Sequence, residues 1–130
     1  MRKTKDELNA LSRSILDICF KIHTLYGPGM LESFYESVLC YELGKAGIPY
    51  QRQLPVHVRH DGEPMGLGYR MDVLVENAII VELKSKLALV EAEHKQVITY
   101  LKTSDKRLGL LINFGEARLK DGIYRKVNGF

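Results

Sequence analysis

The apolar period of this chain changes at the segment Gly47-Ile48-Pro49, and that change restricts the folds open to it. Before it, Leu8, Leu11, Ile15, Ile18, Ile22 and Leu25 recur at alternating steps of three and four, the stripe of an amphipathic helix. After it, Leu54, Val56 and Val58 alternate with Pro55, His57 and Arg59, the period of a half-buried strand. Helices and a sheet must therefore share one core. At 130 residues, with 45% hydrophobic and 27% charged, the chain has the size and balance of one globular domain.

The remaining elements follow from the same periods. Thr4 is placed to cap the first helix, with Glu7 completing a capping box, and "YGPG" (26–29) ends it. A second helix is expected from about Met30 to Ala46, with Gly47 as its C′ residue. "QLPVHVRH" (53–60) reads as a strand that Pro55 places near an edge, and "HDGEP" (60–64) as a turn. "MGLGYRMDVLVE" (65–76) and "AIIVELKS" (78–85) read as two more strands, and residues 90–104 as a helix. "RLGLLINF" (107–114) suits an interior strand, and residues 122–128 a last one. The expected fold class is α/β, a central mixed sheet flanked by helices. The first three strands would be antiparallel neighbours, and the helix over 90–104 a crossover to the fourth.

Net charge is +3, spread along the chain, so a polyanionic partner is permitted and no basic arm is visible. Cys19 and Cys40 lie in apolar periodic segments and read as buried thiols in a reducing cytoplasm. No apolar run approaches the ~20 residues of a membrane span. The first ten residues lack the apolar stretch of a signal peptide. The expected location is cytoplasmic, with no membrane partner.

Charged residues inside apolar strands are costly unless something pairs with them. "MDVLVENAIIVELKSK" (71–86) carries Asp72, Glu82 and Lys84. Glu82 and Lys84 share one strand face, and Ile79, Val81 and Leu83 the other. A three-residue loop, Glu76-Asn77-Ala78, sets Asp72 opposite Glu82. A two-residue loop sets it opposite Val81 and sends Glu82 to the far face, and a bulge can restore the match. The sequence leaves this register open. If the two acids meet, their repulsion calls for a positive charge, from Lys84 or from a hard divalent cation such as Mg²⁺. Carboxylates, a metal and a lysine suit phosphodiester hydrolysis. An ordinary surface ion pair is the competing reading.

The stretch "GYRMDVLVENAIIVELKSK" resembles the core of the PD-(D/E)XK nuclease superfamily, with Asp72 as first acid and Glu82-Leu83-Lys84 as the (D/E)xK element; Met71 stands where the superfamily's name has Pro. Gly29-x-x-Glu32-x-x-Tyr35 is similar to the signature of the GxxExxY proteins within it, and the likeness runs from the first helix to Asn128. The resemblance implies a restriction-endonuclease-like core and a Mg²⁺- or Mn²⁺-dependent nuclease. Asp72, Glu82, Glu32 and the Leu83 carbonyl would hold the metal. Lys84 would act on the attacking water, and Gln96 would join the site, with Tyr100 one turn on. Arg70, Lys86 and Tyr100 are candidates for substrate contact, with a simple ion pair from Arg70 to Asp72 or Glu32 equally open. His23 is a candidate for phosphate contact; His57, His60 and His94 read as surface or rim residues. Tyr35 is expected to pack and Gly29 to serve the turn. DNA is the favoured nucleic acid. A homodimer joined through the apolar first helix would enlarge the binding surface. The alternative is a non-catalytic nucleic-acid- or protein-binding module that keeps the fold.

Overall fold

A computed structural model describes residues 2–130. The elements run α1 (Lys5–Tyr26), α2 (Glu32–Lys45), β1 (Tyr50–His60), β2 (Glu63–Val75), β3 (Ile79–Lys84), α3 (Glu91–Ser104), β4 (Leu108–Asn113), a 3₁₀ turn (Leu119–Gly122) and β5 (Ile123–Val127). The strands form one five-stranded sheet in sequence order. Only β3 and β4 are parallel, joined by α3 as the crossover; the other neighbours are antiparallel. Pro55 lies in the edge strand β1, where its missing N–H costs no ladder bond.

Each expected element is present, with shifted ends. The Thr4 hydroxyl accepts from the Glu7 N–H at 3.1 Å, and the Glu7 carboxylate from the Thr4 N–H at 2.8 Å, a complete capping box. α2 starts at Glu32 and not at Met30, because left-handed Gly27 and Gly29 (φ 66 and 110) hold the preceding turn. The 3₁₀ turn was not expected from the sequence. No described helix is long and apolar enough to cross a membrane.

Helices cover both faces of the sheet. On one face, Leu8, Leu11, Ile15 and Ile22 of α1 and Tyr35, Leu39 and Leu43 of α2 pack on Val73, Val75, Ile79, Val81 and Leu83. Most of the apolar stripe of α1 is thus buried in this core, while Leu25 at its end is exposed. Tyr35 packs as expected, its ring stacked on Phe114 at 4.4 Å and its hydroxyl donating to the Gly27 carbonyl at 2.5 Å. On the other face, Leu101 of α3 packs on Met71, Leu74 and Ile80. Cys19 and Cys40 are free, buried thiols, pushed up by burial to about 12 and about 11.

β2 does not keep one face throughout. Val73 and Val75 face α1 and α2, yet Met71 joins Leu74 on the α3 side. Strict alternation would place Met71 with Val73, so the alternation breaks at Asp72. Across from it, between the pairs Arg52↔Val73 and Leu54↔Met71, Gln53 has a left-handed φ of 51°. β2 pairs with β3 only over Val73, Leu74 and Val75. Beyond that point the β1–β2 hairpin leaves the sheet and leans on α3, with Tyr69 stacked on Tyr100 at 3.9 Å.

The chain after β3 is anchored by Asn113. Its side-chain oxygen accepts from the N–H groups of Lys86 and Gly115, both at 3.1 Å, and its amide donates to the Lys86 carbonyl at 2.9 Å. Gly115 lies so close to this segment that a Cβ there would meet the Lys86 carbonyl oxygen at 2.1 Å. Gly115→Ala is therefore expected to lower stability by about 1–3 kcal/mol, the range for forced overpacking, measured by urea denaturation. A stability equal to wild type would show that residues 84–86 are not clamped in this way.

Candidate active site

The hairpin register decides which charged groups meet. The pairs Val73↔Val81 and Val75↔Ile79 leave the three-residue connection Glu76-Asn77-Ala78, the option that sets Asp72 opposite Glu82. Glu76 and Asn77 both adopt left-handed φ, 49° and 53°, and the Ala78 N–H donates to the Val75 carbonyl at 2.9 Å. Asn tolerates this region readily; Glu does so at a cost. Glu76 is held there by Lys3 at 2.9 Å and by its own N–H on the Pro49 carbonyl at 2.9 Å.

At the Asp72/Glu82 pair, side chains replace the backbone ladder. The Leu83 N–H donates to Asp72 Oδ2 at 2.9 Å, and the Asp72 N–H to Glu82 Oε1 at 3.1 Å. Each carboxylate thus satisfies a main-chain donor of the opposite strand just where the strands part. A strand residue's N–H and C=O point to the same side, so the Leu83 carbonyl opens into the same notch. The notch lies at the carboxyl end of β3, the usual position of sites in open α/β sheets.

Burial makes this arrangement electrostatically demanding. Glu82 is only 5% exposed. Burial, with the Asp72 charge second, pushes its carboxyl up to about 9, and the Lys84 ammonium offsets only part of this. Without a cation, both effects favour the protonated form of Glu82. Glu32 sits in the exposed first turn of α2. Burial of its carboxyl raises its pKa, the Lys84 ammonium lowers it and the Asp72 charge raises it further, so all three share one field. On α3, burial and then the charges of Glu82 and Asp72 raise the Tyr100 hydroxyl, while a hydrogen bond from Gln96 acts in the opposite sense. Gln96 and Tyr100, four residues apart, share one face of α3, and Tyr100 lies within the field of the two acids.

Lys84 is engaged elsewhere than expected. Its ammonium lies 3.8 Å from Glu93 of α3, which also takes Lys86 at 3.0 Å and caps its own helix by accepting from the Val90 N–H at 2.8 Å. These bonds hold Glu93 below the usual carboxylate range against the opposing effect of burial. Lys86 is thus neutralised locally. Arg70 is exposed on the hairpin and, among the described residues, forms no ion pair with Asp72 or Glu32. His23 binds the Glu116 carbonyl at 2.8 Å, a structural use that replaces its expected phosphate contact. His94 lies 2.9 Å from the Lys126 ammonium and edge-on to Tyr124.

Three residues at the site were missed in the sequence. Glu36, 5% exposed on α2, accepts from Arg52 at 2.6 Å and from Gln53 at 2.7 Å. Gln53 stands 3.5 Å from Asp72 Oδ1. Glu93 is the third. Only Glu36 carried a signal, a charged residue directly beside Tyr35 on the buried side of α2.

The donor set fits a hard divalent cation in its chemistry: two carboxylates, a main-chain carbonyl and a third acid at the rim are all oxygen donors. Burial and the Asp72 charge both raise the Glu82 carboxyl, the mark of a place where positive charge is wanting. The acids stand apart, however: among the described residues, no group of three or more His, Cys, Asp or Glu side chains stands at metal-binding spacing.

No curated protein and no solved structure matches the chain. A family model described as the PD-(D/E)XK nuclease superfamily matches residues 9–126, which takes in every strand but the last residue of β5, most of α1 and the whole of α2 and α3, and with them Asp72, Glu82 and Lys84 in the order that names the motif. On that match and this fold, the chain belongs to the PD-(D/E)XK nuclease superfamily.

Proposed function

We propose that this chain is a divalent-metal-dependent nuclease of the GxxExxY kind, a single domain that hydrolyses phosphodiester bonds of nucleic acid, with DNA favoured over RNA. The observation that carries the reading is the Asp72/Glu82 pair at the parting of β2 and β3, with Lys84 two residues on. Asp72, Glu82, the Leu83 carbonyl and Glu32 would hold Mg²⁺ or Mn²⁺. Such an ion supplies charge for the phosphoryl oxygens and lowers the pKa of a bound water.

The chain's own residues supply the rest. Asp72 and Glu82, fixed by backbone donors, keep their remaining lone pairs directed into the notch. Lys84 is tethered loosely by Glu93 at 3.8 Å, and its ammonium would donate to the attacking water and place it. Gln96 and Tyr100 form the α3 wall of the notch and would orient the substrate phosphate. In hydrolysis a water oxygen bonds to phosphorus, the phosphorus–oxygen bond to the leaving nucleotide breaks, and the water's proton passes to solvent.

Asp72→Ala and Lys84→Ala are each expected to reduce cleavage of a DNA panel with Mg²⁺ or Mn²⁺ by at least about 100-fold, the scale of a lost positioned acid–base group. Equal cleavage by wild type and both variants would trace the activity to a contaminant. The second reading, a non-catalytic binding module, draws on the carboxylates being turned onto backbone amides. It predicts no Mn²⁺ binding at millimolar concentration by calorimetry, with or without DNA.

The raised pKa of Glu82 also sets a pH dependence. In the unfolded chain this carboxyl ionises near 4.5, and in the metal-free fold near 9. Between those values the folded state binds more protons than the unfolded state, so stability falls as pH rises. Thermal midpoints of metal-free protein are expected to decline from pH 5 to pH 9, and Glu82→Gln to flatten the decline. A Glu82→Gln profile as steep as wild type would show that Glu82 does not hold a proton.

A further inference from the structure

The strain at the site points to a residue outside the motif. Gln53 is exposed, so no core packing demands its left-handed φ of 51°. A non-glycine residue holds that conformation only where its surroundings over-determine it. Here the surroundings are a chain of charged groups. The Arg52 guanidinium donates to Glu36 Oε2 at 2.6 Å and to the Ser37 hydroxyl at 2.8 Å. The Gln53 amide donates to Glu36 Oε1 at 2.7 Å and faces Asp72 Oδ1 at 3.5 Å. Asp72 Oδ2 already accepts from the Leu83 N–H at 2.9 Å.

An amide nitrogen carries two hydrogens. With Glu36 on one side and Asp72 on the other, both are directed at carboxylates. Gln53 is thus a weaker donor, at 3.5 Å, to the Asp72 oxygen that the Leu83 N–H leaves free. The twist that Gln53 introduces also falls at the pair where β2 changes face and leaves β3. The same residue shapes the notch and points a donor into it.

We propose that Gln53, braced by the buried Glu36–Arg52 pair, is a positioning residue that sets the orientation of the Asp72 carboxylate for a divalent cation. This rests on the metal-dependent reading above. Partners of this kind behind a metal ligand are typically worth 10–100-fold in metal affinity.

The test uses full-length wild type, Gln53→Met, which removes the donor at near-constant size, and Gln53→Gly, which also relieves the left-handed backbone. Three quantities are read: Mn²⁺ affinity by calorimetry without DNA, the thermal midpoint, and the Mn²⁺ dependence of DNA cleavage. The expected result is a folded variant, Met or Gly, that binds Mn²⁺ about tenfold more weakly and recovers cleavage at saturating Mn²⁺. A folded variant with wild-type Mn²⁺ affinity overturns the inference and leaves the nuclease reading intact. Unfolding of both variants assigns Gln53 to the fold alone and overturns it too. Absence of Mn²⁺ binding by wild type removes the metal-dependent reading and this inference with it, a failure visible before any variant is compared.

Discussion

The parting of β2 from β3 is the constraint on which the site depends. Backbone N–H groups in a buried strand must find acceptors. At Asp72 and Leu83 the neighbouring strand no longer offers carbonyls, and the two carboxylates take over that role. This explains how acids survive beside Val73 and Val81, both fully buried. They are the last rung of the ladder, built from side chains. Each accepts one main-chain bond on one oxygen and keeps its second oxygen for other partners.

That solution carries an electrostatic tension, and the surrounding elements distribute it. Glu82 is almost wholly buried and two carboxylates at one notch repel, and both effects favour its protonated form. Lys84 does not fully neutralise the pair, because Glu93 shares its charge at 3.8 Å. Glu93 is itself fixed by the N-terminal turn of α3. The lysine is thereby held near the acids without closing on them, and room for a further positive charge remains. A salt bridge complete within the protein would have made a better structural element and a poorer ligand site.

Much of this was legible in the residues. Apolar periods, and unbroken apolar runs for the interior strands β3 and β4, located all three α-helices and all five strands. The edge position of β1 followed from Pro55, and the interior position of β4 from its unbroken apolar run. The register between Asp72 and Glu82 was not legible: it turns on whether Glu76, a poor left-handed residue, takes positive φ, and Lys3 and Pro49 decide that from distant positions. The beginning of α2 was misplaced because Met30 and Leu31 fit a helical stripe, while the glycine turn holds them outside it. The role of Glu93 was hidden for a similar reason. Its bonds to Lys84 and Lys86 join a helix to a strand end, and only the fold brings them together.

Gln53 is the clearest case of information absent from the local pattern. In sequence it continues a plausible strand, with nothing to mark a backbone reversal. Its conformation follows from three elements at once: Glu36 on α2, Arg52 in β1 and Asp72 in β2. Each contact is modest alone, yet together they hold a strained residue beside the first acid of the motif. Further along, β1 is irregular again between Val56 and Arg59. Just before that stretch Tyr69, paired with Val56, stacks on Tyr100 of α3 at 3.9 Å. The first acid of the motif is therefore seated in part by a residue of an edge strand outside the motif.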